Sequence, residues 1–112
     1  MPRLRELEAF FMKLNPDRKS SMQVGDIRGD ADGVGFLCPK CLAANKGPEG
    51  AHHVFCWFVG VPADVSPGPG RWNPQGATID DLTFVGPGAV SVQLLGGCNW
   101  HGFVRGGEAT PE

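Results

Sequence analysis

Residues 38–41 read Cys-Pro-Lys-Cys, and residues 98–101 read Cys-Asn-Trp-His. Each stretch places two metal-binding side chains three positions apart, so both can reach one ion across a tight backbone turn. Together they supply three thiols and one imidazole, which is the ligand set of a closed tetrahedral zinc site. The ion would join an early turn to a late one across the 56 residues at positions 42–97. The predicted Zn²⁺ ligands are Cys38, Cys41, Cys98 and His101.

Two other interpretations of these residues remain open. In the first, His52 or His53 replaces Cys98 or His101 in the ligand set. In the second, residues 38–41 form a redox pair, but thioredoxin-like chemistry requires a helix N-terminus that lowers the pKa of one thiol. The residues that follow soon reach glycine and proline, which argues against a long helix there.

The composition indicates one globular domain of modest size. The chain has 112 residues, of which 41% are hydrophobic and 20% are charged. With 17 glycines and 10 prolines, short elements and much loop are expected. A core of this size gains stability from an additional constraint such as a bound metal.

The charge balance and the apolar runs limit the classes of partner. A net charge of −2 argues against binding to nucleic acid through phosphate contacts. No apolar run is long enough to cross a bilayer, and the N-terminus lacks a secretory hydrophobic segment. We therefore expect a cytoplasmic protein with no membrane partner. In that reducing compartment, cysteines indicate metal or thiol chemistry rather than disulfides.

The predicted fold class is α+β and β-rich, a small and mostly antiparallel sheet with zinc-ribbon-like turns and one N-terminal helix. The N-terminal segment, 1–16, is predicted to be an amphipathic helix because its leucines and Phe11 repeat with helical spacing. The rest of the single domain, 17–112, is predicted to be β-rich and held by zinc. Strands are expected near residues 34–37, 53–59, 82–85, 89–95 and 101–105.

The segment from His52 to Val59 is the most apolar in the chain and is expected to be a buried strand. Strand alternation places His53, Phe55 and Trp57 on one face and His52, Val54, Cys56 and Phe58 on the other. Cys56 is then expected to act as a small buried hydrophobic residue.

The loop that follows contains Arg71 and Trp72 among four prolines at positions 62, 67, 69 and 74. A tryptophan in such a loop either packs back onto the core or faces a partner. Arg71 and Trp72 are therefore the predicted partner-binding residues.

The sequence lacks the usual signs of a catalytic zinc site. It contains no HExxH motif, and no histidine has glutamate two positions later, as zinc deaminases require. Glu49, Asp80 and Asp81 remain as acid candidates outside any motif. A zinc-dependent hydrolase stays an alternative in which one coordination position is open.

Residues 33–110 resemble a family of small uncharacterised proteins carried by bacteriophages and prophages. The shared marks are the cysteine pair at residues 38–41, the tryptophan segment at 71–73, and the closing stretch Cys-Asn-Trp-His-Gly-Phe at 98–103. The resemblance implies a phage or prophage origin and metal binding, and it implies no reaction. The expected function is that of an accessory protein that contacts a host or phage protein in the host cytoplasm. Besides the hydrolase, a weak nucleic-acid-binding zinc-ribbon protein is the remaining alternative.

Overall fold

Three antiparallel sheets form the main regular structure of the computed structural model, which describes residues 3–17, 20–47, 49–62, 64–65, 70–86, 91–93 and 100–111. The first sheet contains β1 (Phe10–Leu14), β2 (Ser21–Gly25), β3 (Gly33–Leu37) and β4 (His53–Trp57), in the order β2-β1-β3-β4. A two-stranded sheet pairs β5 (Asn73–Gln75) with β6 (Thr83–Val85). The third sheet is formed by β7 (Ser91–Gln93), β8 (His101–Arg105) and β9 (Glu108–Pro111), with β8 in the centre.

Two short helices accompany these strands in the described residues. A 3₁₀ helix spans Leu4–Leu7, and the α-helix α1 spans Pro39–Asn45 between β3 and β4. Neither of them is long and apolar enough to cross a membrane. The prediction of a small, β-rich and mostly antiparallel fold with one α-helix is confirmed at this level, although the helix is not the N-terminal one.

The predicted N-terminal helix is wrong beyond its first turn. Glu8 adopts a left-handed conformation (φ 54°, ψ 39°) that ends the 3₁₀ helix, and β1 follows directly. β1 lies between β2 and β3 and is hydrogen-bonded to both, so its backbone is satisfied on two sides. Pairing on both edges and the β-preference of Phe10 and Phe11 outweigh a helical pattern of only moderate strength.

The expected strands are largely where the sequence predicts them. Three strands lie within their predicted ranges, namely β4, β6 and β8, and β3 begins one residue before its predicted range. The predicted strand at 89–95 is described only at residues 91–93, which form β7. β4 ends at Trp57, two residues earlier than predicted. The second predicted metal turn, residues 98–101, begins with Cys98 and Asn99, which lie outside the described residues, so zinc-ribbon-like turns stay a prediction.

The main core lies on one face of the first sheet and against the third, and Met12, Trp57 and Val65 form a second, smaller buried cluster. Val54 and Cys56 of β4 are buried on this face, whereas His53 and Phe55 of the same strand are exposed. The expected alternation is confirmed from His53 to Cys56, as is the burial of Cys56. It fails at both ends, because Trp57 is buried with Met12 and Val65 and His52 is exposed. Fully buried residues that share the main core include Leu4, Leu7, Phe11, Val34, Phe36, Leu82 and Val104.

One aromatic contact joins β3 to the residue that precedes β8. Phe36 of β3 and Trp100, which immediately precedes β8, pack edge to face with ring centroids 6.1 Å apart. Both are nearly or fully buried, with exposed fractions of 0% and 5%. The contact brings the start of β8 beside the strand that leads into α1.

Candidate metal centre

The sequence at residues 38–41 builds the first turn of α1. Cys38 is the N-cap residue in an extended conformation, and Pro39 occupies the first helical position, where its missing N–H has no intrahelical partner to lose. The Leu42 N–H donates to the Cys38 carbonyl at 2.9 Å, which closes the turn. This geometry places Cys38 and Cys41 on the same side of the helix start.

The pairing of β3 with β4 determines which histidine lies beside this turn. Phe36 pairs with Val54 and Leu37 with His53, so the next position in the same register sets Cys38 opposite His52. The Cys38 N–H donates to the His52 carbonyl at 2.8 Å, which extends the ladder by that one pair. Residues opposite one another in an antiparallel pair project from the same face, so the two side chains can converge.

Cys38, Cys41 and His52 form a group of potential metal ligands. Their ligand atoms all lie within 4.8 Å of one another. The edges of a zinc tetrahedron built from Zn–S and Zn–N bonds are roughly 3.3–3.8 Å. Small side-chain rotations therefore suffice to bring the three atoms onto one ion.

The environment of the group changes from buried to solvent-facing. Cys38 is fully buried, Cys41 is half-buried and His52 is exposed. Two thiolates and a neutral imidazole neutralise the charge of Zn²⁺, so the inner side of such a site adds no net charge to the core. Soft thiolates together with imidazole favour zinc over the oxygen-preferring cations calcium and magnesium.

His53 is directed away from this group. Its ring stacks on Phe55, with centroids 5.7 Å apart at 14°, and lies 5.9 Å from the Phe10 ring. These contacts are on the face of the first sheet opposite the core, because Phe10, Gly35 and Phe55 share one register row. Of the two reserve histidines, the structure therefore brings only His52 to the cysteine pair.

The closing stretch of the chain is only partly described. Cys98 lies outside the described residues. His101 begins β8, is partly exposed, has its ring 6.5 Å from that of Phe103, and is not a member of the Cys38–Cys41–His52 group. The roles of Cys98 and His101 as zinc ligands therefore stay a prediction.

The third described cysteine has a different role. Cys56 is fully buried, and this burial raises the pKa of its thiol far above the ordinary value. A thiol that remains protonated is a poor nucleophile and a poor metal ligand. Cys56 therefore contributes to packing of the core.

Arg71 has its hydrogen-bonding capacity used within the fold. Its guanidinium donates to the carbonyl oxygens of Val61, Pro62, Val65 and Gly70, at 3.0, 2.6, 2.8 and 2.7 Å. It thereby ties together the loop that follows β4. A role for Arg71 in partner binding stays a prediction.

Trp72 is half-buried and packs back onto the core. Its indole stacks on Phe84 at 5.7 Å, and its Nε1–H donates to the Ser91 carbonyl at 2.9 Å. Of the two positions considered for a tryptophan in this loop, the structure shows the packed one. Its predicted role in partner binding, like that of Arg71, stays a prediction.

Of the three candidate acids of the alternative hydrolase, Glu49 is exposed and is not a member of the Cys38–Cys41–His52 group, and the other two are engaged elsewhere. Asp80 accepts hydrogen bonds from Arg5 at 2.8 and 2.7 Å, and this partner lowers the pKa of the carboxyl. The backbone N–H of Thr78 donates to Asp81 at 2.8 Å and lowers the pKa of that carboxyl. Neither carboxylate belongs to the Cys38–Cys41–His52 group.

Comparison with known proteins gave no match to a family model, to a curated protein or to a solved structure. The sequence left His52 and His53 both open as ligands, and the register of β3 against β4 is what selects His52.

Proposed function

We propose that this protein binds one Zn²⁺ through Cys38, Cys41 and His52 and that the ion has a structural role. The observation that supports the proposal is the convergence of three soft ligands from two different elements within 4.8 Å. The ion would connect the start of α1 to the start of β4.

The packing of α1 supports a structural role for the ion. None of the seven residues of α1 is fully buried, and only Cys41 and Leu42 pack partly buried against the main core, so hydrophobic contact alone holds the helix weakly. A structural zinc ion contributes on the order of 10 kcal/mol of apparent binding free energy, which is ample for this purpose.

We further propose Cys98 as the fourth ligand. Trp100 packs against Phe36, and these residues stand two positions from Cys98 and Cys38, respectively. Two residues of extended chain span at most about 7 Å, so the contact between Trp100 and Phe36 supports Cys98 as the ligand from the closing stretch. A Cys₃His shell closed in this way has no position for a reacting water.

Metal analysis and X-ray absorption at the zinc edge test this arrangement. We expect about one zinc ion per chain and a shell of three sulfur atoms and one nitrogen atom, since a structural zinc site is four-coordinate. Cys98→Ala should lower the sulfur count by one, whereas the matched control Cys56→Ala should leave it unchanged. A protein purified without zinc would contradict the proposal as a whole.

An open zinc site is the second candidate, favoured by the exposure of His52. The outer side of the ion would then face solvent, and water would occupy the fourth position. The same absorption measurement separates the two candidates. Two sulfur atoms in the wild-type shell, unchanged in Cys98→Ala, would favour the open site and hydrolytic chemistry.

We propose that the protein acts by contact with another protein, as an accessory protein of a phage or prophage in the host cytoplasm. The support is the resemblance of residues 33–110 together with large apolar side chains on the surface. Exposed apolar clusters mark protein-contact surfaces. The exposed apolar residues are Met22, Val24, Ile27, Phe55 and Val59, with exposed fractions of 42–65%.

The groove between Phe10, Met22 and Phe55 is the part of this surface best suited to contact. It has a volume of about 210 Å³ and is open to solvent. A pull-down from bacterial lysate with wild type and Phe55→Ser tests the role of the groove, with Trp72→Phe as the control for the loop surface. Equal recovery of every bound protein by wild type and Phe55→Ser would exclude the groove.

A further inference from the structure

The two thiols of α1 are close enough to react with each other. Their sulfur atoms lie within 4.8 Å, and residues three apart at a helix start have Cα atoms roughly 5 Å apart. That separation is within the range of about 4.4–6.8 Å that a disulfide spans. Cys41 is half-buried and therefore accessible to a small oxidant, whereas Cys38 is fully buried.

We propose that the Cys38–Cys41 pair is a redox switch, in which hydrogen peroxide converts the two zinc-bound thiolates to a disulfide and releases the ion. This inference rests on the proposed zinc site and adds a mode of regulation to it. It uses only residues whose positions the structure describes.

The reaction balances with peroxide as the only oxidant. The Cys41 thiolate attacks one peroxide oxygen, the O–O bond breaks, and sulfenic acid and hydroxide form. The Cys38 thiolate then attacks the Cys41 sulfur, forming the S–S bond and displacing a second hydroxide. The two sulfurs lose two electrons and peroxide gains them. A disulfide lacks thiolate charge, so the ion loses two of its ligands, and the two that remain, His52 and the proposed Cys98, are too few to hold it.

The structure indicates what this release would change. A helix of seven residues, of which only Cys41 and Leu42 pack partly buried against the core, is far below the length at which helices are stable alone. After the ion leaves, α1 is expected to lose its order while the main core persists. Cys56 would not compete in the reaction, because it is fully buried within that core.

Zinc release and disulfide mapping test the proposal on the zinc-loaded protein. Hydrogen peroxide is added, and the released ion is measured with a colorimetric chelator. Lys40 lies between the two cysteines, so trypsin cuts between them and yields fragments 29–40 and 41–46. We expect these fragments to remain joined under non-reducing conditions in proportion to the zinc released, and to separate after reduction.

Two variants serve as controls. Cys56→Ala should release zinc as the wild type does. Cys41→His retains a ligand at this position but cannot form the disulfide, so its release should be at least about tenfold slower. Release without joined fragments, or joined fragments with zinc retained, would overturn the switch alone. A starting protein without zinc would overturn the proposed function and the switch with it.

Discussion

Replacement of His52 by alanine tests the metal site most directly, because the adjacent His53 provides a matched control. Both side chains are exposed. In the absence of a metal, an exposed substitution changes the free energy of unfolding by no more than about 0.5 kcal/mol. His53→Ala additionally loses the stacking on Phe55, which is worth about 0.5–1.5 kcal/mol.

With zinc present, the two substitutions should differ strongly. His52→Ala removes one of the three ligands that converge at the start of α1. Loss of a group that merely orients a ligand weakens metal binding by about 10–100-fold, so loss of a direct ligand should reach the upper value. At saturating zinc, a 100-fold loss of affinity lowers the stability by about 2.7 kcal/mol. For a domain of this size, that corresponds to a decrease in Tm of about 10 °C or more.

Thermal unfolding followed by circular dichroism, with excess zinc and with EDTA, measures this effect. We expect zinc to raise the Tm of the wild type and of His53→Ala by similar amounts, and to raise that of His52→Ala by at least about 10 °C less. In EDTA the wild type and His52→Ala should unfold within a few degrees of each other, and His53→Ala should unfold at a lower temperature because it loses the stacking on Phe55. An equal zinc-induced increase in wild type and His52→Ala would refute the assignment of His52 as a ligand.

Two further predictions concern the scaffold. Phe36→Ala should lower the free energy of unfolding by about 3–5 kcal/mol, because it leaves a cavity beside Trp100. Phe36→Leu should lower it much less, and urea unfolding measures both changes. The pKa values of Asp80 and Asp81 are lowered in the folded state, so their contribution to stability is present above the unfolded pKa and decreases as the pH falls below about 4. Arg5→Ala removes the partner of Asp80 and should make the acid-induced decrease in stability smaller; an unchanged pH profile would contradict this assignment.

Much of the strand pattern could be predicted from the sequence, because alternating burial is a local property. Val54 and Cys56 alternate with exposed His53 and Phe55 as β4 requires. The N-terminal segment could not be predicted in the same way. Its leucines at positions 4 and 7 fit a helical repeat and are indeed buried, but pairing of β1 with two neighbouring strands decided the conformation of the residues that follow.

The sequence by itself determined that a thiol pair stands at residues 38–41 and that two histidines precede the most apolar strand. Only the tertiary structure decided which histidine meets the thiols. The register of β3 against β4 sets His52 opposite Cys38 and turns His53 to the other face, toward Phe10. A metal site needs its ligand atoms within a few ångströms of one another, and for residues far apart in the chain that distance is fixed by strand pairing.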